Sequence, residues 1–525
     1  MRLKISRFRP RVNTQMVCIP VLPHGWSQIE CATLAVRAVQ MATHTIPRED
    51  TSFFGHPRGL ATLFFTEMWE RFSYYGIRAL LILYMTALAS QHGLGLDVPT
   101  AGAIYGLFTA CAYIFSVPAG WIADKFLGQQ RSVVLGGLLI AAGNFGMTLP
   151  AIGPFLISLF AIAIGTGFLK TSCTTTVGFL YKQGDVRRDA GFSLYYVGIN
   201  IGAGIAPLIC GYVGQRVNYR YAFALAGLCM LAGLIQFVLT RGHLSGAGVA
   251  PAVVATPGDR QKLIYGVAAV LIAAGLVAVL AIPIEKVADG FAVLLLAAVV
   301  VTFAGLLLSK DYNREEKKRI QVILVLFVGS ALFFSIFEQA GSTLTLFADR
   351  STDNRVFGIS FPSSYFQSVN SVFIYLLAPL FAWFWVRLGD RDLSPVTKFS
   401  IGLFGAGGGF LVMMFAAIAA GPSGKVSPMW LTMTYLLHTI GELCLSPVGL
   451  SAMTKLAPQR IAGMIMGVFF LSISVGNFMG GRLASFYESI PLDKLFGYVG
   501  AFGIAVGLIM LAISRPVSRL MGGVK

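Results

Sequence analysis

Runs of apolar residues long enough to cross a bilayer recur about fourteen times between residues 62 and 514, and no other feature limits the fold of this chain so tightly. A backbone in hydrocarbon has no water to bond, so it spans as a helix or as part of a closed barrel. Barrel strands need only about 9 to 11 residues, whereas a helix needs about 20. These runs are helical in length. With 56% hydrophobic and 12% charged residues and a mean hydropathy of +0.74, a soluble globular domain is excluded. The expected fold class is an all-α polytopic membrane protein.

The net charge of +17 does not point to nucleic acid, because Lys and Arg gather in short segments between the apolar runs. Alternate connections, including "DKFLGQQR", "YKQGDVRRD" and "KDYNREEKKR", hold about 21 basic residues, against about 7 in the opposite set. The bias predicts an even number of spans and cytoplasmic termini. The expected placement is multi-pass in the cell's inner (plasma) membrane, with lipid as the surrounding partner and no nucleic acid bound. Residues 1 to 40 carry six Lys or Arg and one Glu without sustaining an apolar core, so they read as a basic, disordered extension. Met41 is the expected natural start.

"VPAGWIADKFLG" and "APLFAWFWVRLG" both place a proline ten residues before a glycine, at Pro118/Gly128 and Pro379/Gly389. This echo divides the chain into two halves. The expected plan is an extension over 1–57, a six-helix bundle over 58–242, a linker with two extra spanning helices over 243–317, a second six-helix bundle over 318–516 and a tail over 517–525. Repeats of this kind are typical of secondary transporters, which bind their substrate between the halves.

The first span contains "EMWERFSYYGIR", Glu67 to Arg78. At 100° per residue, Glu67, Glu70, Arg71, Tyr74, Tyr75 and Arg78 fall within an arc of about 140°. One face is thus polar, and charges at membrane depth line a cavity or meet partners. A self-neutralising Glu67–Arg71 pair is the bland reading, and it leaves Glu70 and Arg78 unexplained. Lys170, Glu338 and Glu442 add ionisable groups on other spans. Four acids and three bases nearly cancel if they converge, and pairs that break on protonation are the material of a proton-coupled switch.

The run "EMWERFSYYG" resembles the E-x-x-E-R-F-x-Y-Y-G signature of the proton-dependent oligopeptide transporter family within the major facilitator superfamily. "GWIADKFLGQQR", "GTGFLK", "FSLYYVGINIGAG", "FEQAGS", "YFQSVN" and "HTIGELCLSPVGLS" follow in the family's order, across roughly residues 52 to 515. The resemblance implies the major facilitator fold, two six-helix bundles with two additional helices between them. It implies proton coupling through Glu67, Glu70, Arg71, Lys170 and Glu338, with Lys170 facing the acids across the cavity and Glu338 paired with Arg78. It implies a substrate site of Arg71, Arg78 and Lys170 for the peptide carboxylate and of Asn200, Asn370 and Glu442 for the amino terminus. Tyr74, Tyr75, Tyr113 and Phe469 are implied on the cavity wall. Phe469 and Tyr365 replace tryptophans common in the family, Ser371 replaces a proline, and Gly106 occupies the position of the histidine found in animal members.

The expected function is proton-coupled import of di- and tripeptides by alternating access, in a monomer, with no enzymatic activity, no metal and no cofactor beyond the proton gradient. A symporter of another small anion such as nitrate is the alternative. An intramembrane hydrolase is a distant one, resting on Ser423 in "GPSG", a Pro- and Gly-rich connection better read as a turn. "GTGFLKTS" lacks phosphate-loop spacing. His438 reads as a packed core histidine one turn before Glu442, "NREEKKR" as a solvated charge run, and the five cysteines in apolar runs as packing residues. Pro118, Pro207, Pro379 and Pro447 read as tolerated helix kinks, with hinges as the alternative.

Overall fold

The computed structural model describes residues 50–522, apart from 183, 184, 186, 390, 391, 422, 423, 459 and 460. The basic extension up to residue 49 with Met41, Cys18 and Cys31, and Ser423 on its external connection, lie outside the described residues. In chain order the long helices begin with α1 (Arg58–Thr86), α2 (Val98–Ile114), α3 (Ser116–Ile122), α4 (Gln129–Gly146), α5 (Ile152–Phe179), α6 (Arg187–Arg216) and α7 (Tyr219–Thr240). The inserted pair is α8 (Pro257–Val279) and α9 (Ile284–Leu308). There follow α10 (Arg314–Phe337), α11 (Thr343–Arg350), a hairpin of β1 (Arg355–Val356) and β2 (Ile359–Ser360), α12 (Phe366–Leu388), α13 (Pro395–Ala420), α14 (Met429–Leu456), α15 (Ala462–Ala484) and α16 (Leu492–Leu520).

Twelve of the helical segments among the described residues are apolar and long enough to span by themselves. Two more complete the set of fourteen. α1 carries the charged face, and α4 is an 18-residue helix. The second span is divided between α2 and α3, because Pro118 cannot supply the N–H that would bond Ile114. It ends in a widened turn at Ala123–Leu127. Gly128 and Gly389, the echoed glycines, both take positive φ, +76° and +49°, where the helices stop before the basic connections.

Packing repeats between the halves. α1 lies along α6 as α10 lies along α15, and α4 pairs with α5 as α13 pairs with α14. The bundles meet along two related seams, α2 with α15 and α6 with α12. Close approach of helices in lipid depends on small residues at the crossing. At the α2–α15 seam a Cβ on Gly481 would stand 2.3 Å from the Gly106 Cα, so neither glycine has room for a side chain. The sequence-aligned histidine position is thus occupied here by a backbone crossing.

The two ends of the molecule differ. At the end carrying the β1–β2 hairpin, the Gln215 amide donates to Ser363 Oγ at 2.7 Å and its carbonyl accepts from the Ser364 N–H at 3.0 Å. Arg216 donates to Ser360 Oγ at 2.9 Å. Most hydrogen bonds between the bundles, among the described residues, lie toward this hairpin end. Toward the end with the basic connections, Tyr375 donates to the Val197 carbonyl at 3.4 Å.

Candidate functional site

The charged face of α1 is held in place from both sides. Glu67 accepts from the Tyr195 hydroxyl of α6 at 2.8 Å, and Glu70 accepts from Thr166 of α5 at 3.2 Å. The Arg71 guanidinium lies 3.4 Å from Glu67 and bonds closely to Glu70. All three are less than a twentieth exposed. Burial of a charge is expensive unless it is paired and hydrogen-bonded, which accounts for this density of partners. Arg71 nevertheless keeps one nitrogen, Nη2, without a partner among the described residues.

Two turns further along α1, Arg78 crosses to the second bundle. Its Nη2 donates to Glu338 at 2.5 Å and its Nε to the Tyr105 hydroxyl at 3.0 Å. Glu338 opens a 3₁₀ turn, Glu338–Gly341, that interrupts the span between α10 and α11. Such a break within a spanning helix marks a hinge or functional site. A Cβ on Gly341 would stand 3.0 Å from Arg78 Nε and strike the Tyr105 hydroxyl, so the glycine makes room for this meeting.

A cavity of about 250 Å³ opens between the bundles. Glu67, Arg71, Tyr75, Arg78, Tyr113, Lys170, Asn200, Glu338, Asn370, Glu442 and Phe469 all line it. These residues come from eight spans, brought to one place. Glu70 and Tyr74 are not on its wall. Glu70 is fully buried behind Arg71, and Tyr74 stacks on Phe108 with ring centroids 5.9 Å apart, beneath the Arg71 guanidinium.

Lys170 departs from the expected geometry. Its ammonium lies 4.0 Å from the Tyr113 ring centroid and 5.4 Å from that of Phe470, so aromatic faces receive it in place of the acids of α1. Both carboxylates of α1 already have nearer partners, which leaves the lysine facing the cavity. On the opposite wall the Asn370 amide donates to Glu442 and to Thr439, each at 3.0 Å. His438 packs as a core histidine, with Nε2 3.2 Å from the Ala406 carbonyl and its ring stacked on Phe410, and it also borders the cavity.

The sequence reading did not single out Tyr196, Gln367, Tyr435 or Phe470, which line the same space. Tyr196 precedes Asn200 by four residues and so shares its helix face, a signal the sequence carried. Gln367, three residues before Asn370, and Tyr435, seven before Glu442, share the faces of those residues in the same way.

Lys170, with no carboxylate partner among the described residues, and Arg71, with one nitrogen unbonded, on one wall and an acid on the other present a chamber with two electrical poles. Its walls between the poles are apolar or aromatic, including Ile199, Phe334, Phe337 and Ile473. Such a chamber fits a small molecule with separated opposite charges.

Comparison with known proteins agrees with this architecture. The POT family pattern matches residues 130–503. The chain is 40% identical over 505 residues to the peptide transporter YePEPT of Yersinia enterocolitica, covering 92% of this chain and 98% of that protein. It is 37% identical over 492 residues to a di-/tripeptide transporter of Lactococcus lactis subsp. cremoris, covering 91% and 99% respectively. A crystal structure of peptide transporter POT in complex with sulfate superimposes with a TM-score of 0.87 at 41% identity, covering 92% of this chain and 99% of that one. The chain belongs to the POT family, the proton-dependent oligopeptide transporters of the major facilitator superfamily.

Proposed function

We propose that this protein imports di- and tripeptides together with protons by alternating access. The observation that carries this reading is the two-pole cavity: Arg71 and Lys170 without saturating partners on one side, and Glu442 with Asn370 on the other. A peptide's carboxylate is received by Arg71 and Lys170, and its ammonium by Glu442 and Asn370. Arg78, occupied by Glu338, holds the bundles together until that pair breaks. Tyr75, Tyr113, Asn200 and Phe469 shape the space for side chains.

Proton coupling is assigned to Glu67, Glu70 and Glu338. Protonating Glu338 frees Arg78 and removes a charge-assisted bond between the bundles, so the balance between the two access states moves with the proton. Glu67 and Glu70 exchange protons against Arg71, whose freed guanidinium turns to the peptide. The gradient is the energy source, with no bound cofactor or metal. The protein works as a monomer in the cell's plasma membrane with cytoplasmic termini, which places the hairpin end outside.

A nitrate-type anion symporter is the second reading. The acid Glu442, held at the cavity wall by Asn370, disfavours it, since an anion gains nothing from a carboxylate. Uptake of labelled dialanine into proteoliposomes under an inward proton gradient decides between them. Competition by unlabelled dipeptide, with little from N-acetyl-dialanine or nitrate, is the expected result. Strong nitrate competition overturns the peptide assignment. Glu442→Gln is expected to raise the dialanine KM about tenfold, since a charge-assisted bond contributes roughly 1.5 to 3 kcal/mol.

A further inference from the structure

The two inserted helices are unequal. α8 leaves its apolar side chains uncovered along its length, with Ile264, Tyr265, Leu271 and Val279 all exposed. α9 is different. Its Ala288 and Leu295 are buried in a cluster with Ala103 and Ala110 of α2 and Phe478 of α15. The helix therefore lies over the seam where the first bundle meets the second.

Two acids one turn apart tie its hairpin-end terminus to both sides. Glu285 accepts from the Thr100 hydroxyl of α2 at 2.5 Å. Asp289 accepts from Arg482 of α15 at 2.8 Å. Phe291 adds a ring contact with Phe478, centroids 5.5 Å apart. Beneath α9 the seam itself is bonded directly, with Ser485 donating to the Pro99 carbonyl at 3.2 Å and Ser474 to that of Ala110 at 2.9 Å.

A spacing of four residues puts Glu285 and Asp289 on one helix face, so a single rigid element bears both contacts. α2 and α15 cannot part at the hairpin end while both bonds last. We propose that α9 is a clasp across the two bundles, whose Glu285–Thr100 and Asp289–Arg482 contacts favour the state closed at the hairpin end. The inference rests on the alternating-access reading above. Because the Asp289–Arg482 pair is partly exposed, its effect is a shift of balance and not a lock.

The test uses the full chain in phosphatidylethanolamine–phosphatidylglycerol vesicles, with native cysteines replaced by serine and spin labels at Gln91→Cys and Ser489→Cys. These exposed positions flank α2 and α15 at the hairpin end, and pulsed electron resonance reads the distance between them. Combining Glu285→Gln with Asp289→Asn is expected to raise the long-distance population roughly two- to fivefold. Exchanging the charges, Asp289→Arg with Arg482→Asp, is expected to bring it back toward the parent value. An unchanged distribution in the neutralised variant, in a background where Glu338→Gln does lengthen the distance, overturns the clasp. Dialanine uptake by the same vesicles tests the transport reading separately: no uptake by the parent protein sinks that reading, while the distance result still judges the clasp.

Discussion

Arg78 and Glu338 belong to different bundles and meet at 2.5 Å, each side chain no more than a tenth exposed. The pair forms where the first span faces the 3₁₀ break of α10–α11, so a charge change at Glu338 acts on the contact between the halves. Removing one partner of a buried pair leaves the other charge uncompensated, at a cost of about 3 to 5 kcal/mol.

Glu338→Gln keeps the shape of this contact and removes its proton chemistry. Proton-driven dialanine uptake is expected to fall at least tenfold, with peptide exchange across the membrane partly retained. Undiminished uptake under an imposed gradient would remove Glu338 from the coupling scheme.

Lys170→Ala takes away the cation that rests on Tyr113. Concentrative uptake should be abolished, and the dialanine KM in exchange should rise, because the carboxylate pole is left to Arg71. Wild-type concentrative uptake by this variant is the result that counts against it.

Gly481→Ala places a methyl against the Gly106 backbone, where no flexible side chain can yield. The helices must separate, with an overpacking cost of about 1 to 3 kcal/mol. A lowered thermal unfolding midpoint in detergent is expected. A midpoint equal to that of the parent would show that the seam is looser than its geometry.

His56, just before α1, bonds the Tyr181 hydroxyl through Nδ1 at 2.9 Å and is buried there. Burial, aided by the nearby Arg187, holds its pKa below the usual imidazole value of 6.5. The folded state thus favours the neutral ring. Its stabilising contribution is fully present above pH 6.5 and is lost as the pH falls through the lower folded value. The melting temperature of the parent should therefore decline below pH 6.5 more steeply than that of His56→Gln; identical slopes would discount this histidine.

Much of the site was legible because a charge inside an apolar span is visible in one dimension. Glu67, Arg71, Arg78, Lys170, Glu338 and Glu442 all stood out against their neighbours, and the structure places all six on one cavity. Tyr74 did not follow, although its helical angle put it on the polar face, because Phe108 of α2 covers that sector of α1. Angle on a helix says which residues share a side, not what packs against it.

The sequence by itself determined the spans and their count, since transfer of about 20 consecutive residues into hydrocarbon is a sum over neighbours in the chain. It also determined that the ionisable groups of the first span had to find partners or water. Which partners they found was decided by tertiary structure. That Arg78 meets Glu338, that Lys170 rests on Tyr113, that Glu442 lies beside Asn370 and that α9 straddles the α2–α15 seam all depend on how helices rotate and approach one another. Those rotations follow from packing at crossings such as Gly106 with Gly481, hundreds of residues apart, where no local pattern can set them.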